Sequence, residues 1–174
     1  MRVLGIDCGS QITGFGIIDS DERCHHLVVS GAIRLQSRKS FSERLLDIHR
    51  EIDTLIASYS PQIIAVEDQF YFSNFRSVLK LGQVKGVVIL TAARAGIPIV
   101  EYSPLEIKSA VTGYGRAEKG QVQTMVEKLL KLDAPPEPLD ASDALALAIC
   151  HVHTSATETR LDKAASTMVS IRRA

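Results

Sequence analysis

VLGIDCGSQITGFGIID, residues 3–19, sets the fold of this chain. Its first five residues are an apolar run that ends on a carboxylate, Asp7, and Thr13 to Asp19 then alternate around Gly14 and Gly16. Strand-like patterning across so short a connection predicts an antiparallel pair. His26 to Leu35, rich in β-branched and apolar residues, supplies a third strand, so the chain opens as a meander. Gly9, Gly14 and Gly16 leave backbone exposed near the end of the first strand. They either admit the close approach of a ligand phosphate or serve tight turns and a bulge.

Downstream the period changes. Ser40 and Glu43 have the spacing of a capping box, and Phe41, Leu45, Ile48, Ile52, Leu55, Ile56 and Tyr59 mark one apolar helical face. Pro61 resets the chain before Gln62 to Glu67, whose run IIAVE reads as a strand covered on both faces. Residues 75–95 read as a second helix and Ile97 to Glu101 as a fifth strand. Ser103, Pro104 and Glu106 open a short helix that ends near Gly113. Glu118 to Leu132 forms another, and Pro135, Pro136 and Pro138 separate it from a last helix opening with DASDALALAIC. The order βββαβαβααα, with neither repeat nor linker, predicts one domain over residues 1–153. Residues 154–174, small and polar with Arg160, Lys163, Arg172 and Arg173, read as a mobile tail with at most a frayed helix.

Length and composition fit this reading. A chain of 174 residues, 45% hydrophobic and 5% aromatic, suits one α/β domain with a sizeable core. The formal charge is zero, so any nucleic-acid binding must use a local basic surface. Cys8, Cys24 and Cys150 have no CxxC spacing and an odd count, which favours a reducing compartment. The start MRVLGID has no signal-peptide core, and no apolar run approaches the roughly 18 residues needed to span a bilayer, so a cytoplasmic, membrane-free protein is expected.

Four carboxylates stand where elements begin or end: Asp7 and Glu67 close apolar strands, and Asp140 and Asp143 open the last helix. If the first strand pairs with the fourth, Asp7 and Glu67 become neighbours roughly 4.8 Å apart. Residues three apart on a helix share a face, with Cβ atoms roughly 5 to 6 Å apart. The apolar remainder of that helix would lie on the sheet and present its acidic first turn to the strand ends. Carboxylates so crowded repel unless a cation compensates them. Oxygen ligands favour Mg²⁺ or Mn²⁺ over Zn²⁺, and two ions about 3.5 to 4 Å apart could clamp both the attacking water and the leaving oxygen of a phosphodiester. The plainer alternative for Asp140 and Asp143 is helix capping. Asp68, one position along the strand from Glu67, points to the opposite face.

Five collinear motifs give the chain a family likeness: GIDCGSQITGFGII at 5–18, VEDQF at 66–70, LKLGQVKGV at 79–87, AEKGQVQTMV at 117–126 and DASDALALAICH at 140–151. In these, from residue 1 to about 153, it resembles the RuvC Holliday-junction resolvases. The resemblance implies a ribonuclease-H-like α/β fold: a five-stranded mixed sheet, three antiparallel strands then two parallel, flanked by helices. It further implies Asp7, Glu67, Asp140 and Asp143 as ligands of two Mg²⁺ ions per subunit, with Mn²⁺ as a substitute. The implied protein is a homodimer that nicks opposing strands of a four-way DNA junction in recombination and repair, leaving 5′-phosphate and 3′-hydroxyl ends. Branch-migration proteins RuvA and RuvB are the implied partners.

By the same matching Lys108 and Lys119 stand near the scissile phosphate, and Phe70 stacks on a base; otherwise these are ordinary surface lysines and a core ring. Asn74, Arg76, Lys80 and Lys85 would flank the DNA. Gly82 and Gly86, one turn apart on the second helix, offer a smooth stripe for a partner helix or for the chain's own sheet. Cys8 replaces the family's usual proline and Asp68 a commonly uncharged residue, which leaves the fine detail of the site open. Two rivals come from other classes: an actin-like ATPase, for which one short domain lacks the second half, and a non-catalytic junction-binding module.

Overall fold

The computed structural model describes residues 1–21, 24–68 and 75–171, with the side chains of 162–171 left aside. Ten elements follow in the expected order: β1 Arg2–Asp7, β2 Ile12–Ser20, β3 His25–Arg34, α1 Phe41–Tyr59, β4 Ile63–Glu67, α2 Phe75–Arg94, β5 Ile99–Tyr102, α3 Pro104–Thr112, α4 Lys119–Leu130 and α5 Leu139–Ile171. The sheet runs β3-β2-β1-β4-β5. Antiparallel pairing joins β1 to β2 and β2 to β3, whereas β1–β4 and β4–β5 are parallel.

Strand parity divides the core into two layers. Leu4, Ile6, Ile17, Ile64 and Val66 face α1 and α2 with Ile48, Ile52, Val84 and Val88. Val3, Ile18 and Ala65 face the other way, with residues of α3, α4 and α5. Side chains alternate along a strand, so Asp7 shares the face of Val3 and Gly5, and Glu67 that of Ala65. Both carboxylates therefore point to the α5 side. Each fully buried Ile or Leu contributes about 1.5–3 kcal/mol, and this packing holds the strand ends in place.

Helix α5 is the central strut. From Ala144 to Val152 it is buried without interruption, because the sheet lies beneath it and α3 and α4 lie on it. Glycines allow the approach. A Cβ on Gly5 would collide with the Ala144 carbonyl, one on Gly14 with the Asp140 carbonyl, and one on Gly16 with the Leu145 side chain. Of the two roles open to these glycines in the sequence, neither describes Gly14 and Gly16, which make room for a helix. Gly9 is a turn glycine, since its Cβ would meet the Ile12 carbonyl. The helix also runs on through Ile171, across the segment expected as a tail with at most a frayed helix.

The capping signals form as expected. Ser40 and Glu43 cap α1 reciprocally, and Ser103 and Glu106 do so for α3, with Pro104 in its first turn. Gly113 ends α3 at φ 77°, a conformation that suits glycine. No helix among the described residues is long and apolar enough to cross a membrane.

Candidate active site

The carboxylates meet at the carboxyl ends of β1 and β4. Ile6 pairs with Val66, so Asp7 and Glu67 follow as neighbours. Gly14 sits opposite Asp7 in β2 and carries the first turn of α5 on its bare backbone, which brings Asp140 and Asp143 over the same edge. Asp7, Glu67, Asp143, Lys108 and Lys119 line a cavity of about 240 Å³, walled on its apolar side by Pro104, Ile107, Val122, Ala146 and Leu147. Asp140 stands outside that lining, yet its charge acts on Asp7.

Electrostatics bind the group together. Burial pushes the Asp7 carboxyl up from 3.8 to about 7, and the charges of Asp143, Glu67 and Asp140 add to the rise, while Lys119 opposes it. The Lys119 ammonium lies 3.2 Å from Asp143 Oδ2. The charge of Asp143, foremost, raises the lysine's own pKa and keeps it cationic. Among the described residues no three His, Cys, Asp or Glu side chains stand close enough to share one metal ion. In charge and in donor type the cavity suits a hard divalent cation, which would replace the proton on Asp7.

The basic residues singled out in the sequence scatter. Lys108 and Lys119 enter the cavity. Arg76 lies exposed near the start of α2, and Lys80 sits one turn later with its Nζ 5.8 Å from the Phe41 ring centroid. Lys85 faces inward, held by Glu101 at 2.5 Å and Asp68 at 3.3 Å. That trio braces the ends of β4 and β5 against α2, and the Asp68 N–H also donates to the Tyr102 carbonyl at 2.8 Å. Asp68, one residue past the end of β4, pairs with Lys85 of α2, away from the α5 side that Glu67 faces. Phe70 and Asn74 lie outside the described residues.

Two further residues shape the surroundings of the site: Cys8, already noted as replacing the family's usual proline, and Arg44, which the sequence reading did not single out. Cys8 is a partly buried thiol whose pKa is pushed up to about 12 by burial and the Asp7 charge, which makes it an inert spacer beside the site. Arg44 donates through Nη1 to the Ser10 carbonyl at 3.1 Å and so ties α1 to the loop after β1. Its only trace in the sequence is a position three residues after Phe41, one turn along the helix.

The sequence pattern of the family described as "Crossover junction endodeoxyribonuclease RuvC" matches residues 3–151. The chain belongs to the RuvC family. A relative from Koribacter versatilis, a crossover junction endodeoxyribonuclease RuvC, is 53% identical over 162 residues, spanning 92% of this chain and 98% of the relative. The Thermus thermophilus RuvC structure superimposes with a TM-score of 0.85 at 30% identity, covering 91% of this chain and 98% of the other. RuvC from the same organism in complex with Holliday junction substrate gives a TM-score of 0.84 at 28% identity, over 90% of this chain and 96% of that one. The ribonuclease-H-like sheet expected from the motifs is therefore the RuvC fold, and the RuvC family is one of nucleases that hydrolyse DNA phosphodiester bonds.

Proposed function

We propose that this RuvC-family chain is a Mg²⁺-dependent endonuclease that resolves four-way DNA junctions by paired nicks on opposing strands. The observation that carries the reading is the convergence of Asp7, Glu67 and Asp143 with Lys108 and Lys119 in one cavity at the sheet edge. Asp7, Glu67, Asp140 and Asp143 would hold two Mg²⁺ ions, or Mn²⁺ in their place. When bound, such ions supply Lewis acidity and lower the pKa of water. The chain's own residues do the rest. Asp143 keeps Lys119 protonated, which suits that ammonium to the charge that builds up on the phosphate as the 3′ oxygen leaves. Lys108, across the cavity, steadies the same phosphate. The apolar wall of Ile107, Val122 and Leu147 limits water to the reacting edge.

Symmetric nicking needs two such sites, and α2 offers a face for a second copy. Leu79 and Leu90 are 53% and 61% exposed there, and a Cβ on Gly82 or Gly86 would meet nothing within 4 Å. A two-fold dimer through this face would match the symmetry of the junction. Arg76, Lys80 and Phe70 would flank the DNA beyond each site, whereas Lys85 serves the strand ends. Residues 1–153 form the nuclease unit, and the remainder of α5 extends from it. Work in the cytoplasm beside branch-migration partners of the RuvA and RuvB type completes the reading.

The test is incubation with a mobile synthetic four-way junction, linear duplex and single strands in Mg²⁺, Mn²⁺ or EDTA. Cleavage confined to the junction and to the metal-containing samples is expected. Linear duplex cut as readily as the junction would overturn the selectivity, and full activity in EDTA the metal dependence.

A further inference from the structure

Two cations gather on one aromatic ring at the edge of the site. Arg44 Cζ lies 5.4 Å from the Phe41 ring centroid and Lys80 Nζ 5.8 Å from it, both within the ~6 Å reach of a cation–π contact. Phe41 packs against the core cluster shared by α1, α2 and the sheet, so the ring is a fixed platform. Like charges brought to one ring repel, and acidic neighbours do not relieve them. Glu43 is committed to Ser40 and Asp47 to Lys39 at 2.6 Å, and no ion pair among the described residues includes Arg44 or Lys80.

The guanidinium is also short of acceptors. Nη1 donates to the Ser10 carbonyl, while Nε is buried and has no hydrogen-bond partner. One of the five guanidinium N–H donors is thus spent on the loop and none on a carboxylate of the described residues. Ser10 lies three residues beyond Asp7, a span of at most about 10 Å along the chain. The guanidinium therefore stands against the loop that leaves the Asp7 end of β1.

We propose that Arg44 and Lys80, gathered on the Phe41 ring, form a second phosphate seat, which grips the backbone of the cleaved strand a few nucleotides or fewer from the scissile bond. The inference rests on the resolvase reading and extends its DNA track from the Lys108–Lys119 side of the cavity to the opposite, α1–α2 side. The ligand is a phosphodiester. A free phosphate offers the same chemistry but not the tether to a strand already bound at the carboxylates.

Fluorescence anisotropy of a labelled four-way junction in EDTA, repeated over a salt series, tests this. Neutralising one phosphate contact lowers the slope of log K against log salt by roughly 0.7–0.9. Lys80→Ala and Arg44→Ala should each show that loss, with affinity down roughly 3- to 10-fold at moderate salt, and the double variant should lose about twice the slope. Arg44→Lys should keep most of it, which separates charge from packing. Lys80 is exposed, so Lys80→Ala gives a clean reading even if Arg44→Ala misfolds. A junction with neutral methylphosphonates at the one to four phosphates flanking the cut should bind the wild-type protein as weakly as the double variant binds the natural junction.

Unchanged slopes in Lys80→Ala and the double variant would overturn the seat. Variant slopes that fall while the methylphosphonates have no effect would overturn its assignment to the strand. A wild-type protein with no affinity for junctions would overturn the resolvase reading instead, which keeps the two failures apart.

Discussion

Replacing Asp7 with Asn should make the metal-free protein more stable while removing its activity. The Asp7 carboxyl titrates at about 7 instead of 3.8, so between those values the folded protein keeps a proton that the unfolded chain has released. Stability therefore falls as pH rises through that window; the penalty is absent below about 3.8 and complete above about 7. The difference corresponds to about 4 kcal/mol against the ionised folded form, and partial exposure with counterion screening brings it to roughly 2 kcal/mol. Asn carries no charge and nearly the same shape. In EDTA at pH 8, Asp7→Asn should melt about 4–8 °C above the wild type, and the two should converge near pH 4. Calorimetry or dye-monitored melting reads this directly. Mg²⁺ should raise the wild-type melting temperature and do little for the variant, and junction binding should persist in the variant without nicking. Equal melting temperatures at pH 8 in EDTA would refute the electrostatic account of the cavity, and a gap that widens toward acid would reverse its sign.

Gly14→Ala should cost about 2 kcal/mol or more, because its methyl group would collide with the Asp140 carbonyl and lift the acidic turn of α5; thermal unfolding and cleavage should fall together. Lys119→Ala should slow nicking about 10²- to 10³-fold with junction affinity much less affected, as single-turnover kinetics would show. Burial lowers the pKa of His25 and His151, so both stay neutral in the fold and contribute stability that is present above their ordinary 6.5 and lost as pH falls below it. Measured in the Asp7→Asn background, which removes the opposing trend, the melting temperature should drop from pH 7 toward pH 5. A flat profile would refute their neutral burial.

The reading from sequence reached far where local rules carry the signal. Element order and the capping boxes at Ser40 and Ser103 came from periodicity and end signals, which depend on neighbours within a few residues. The meeting of Asp7 with Glu67 was conditional on β1 pairing with β4, which the sheet supplies. The same locality explains the misses. Lys85 carries the same charge as Lys80, five positions earlier on the same helix, yet it is drawn inward by Asp68 and Glu101, acids contributed by β4 and β5. Gly14 and Gly16 resemble turn glycines until the last helix in the chain is seen resting on them.

The sequence by itself determined which residues are acidic, where the strands stop and which family motifs surround them, because these are properties of short segments. Only the tertiary structure decided that Asp143 joins Asp7 and Glu67 in one cavity while Asp140 stands outside its lining. It alone set the Asp7 carboxyl near 7 and placed Lys119 within 3.2 Å of Asp143. Charge interactions fall with distance through space and strengthen with burial, and neither quantity is written along the chain.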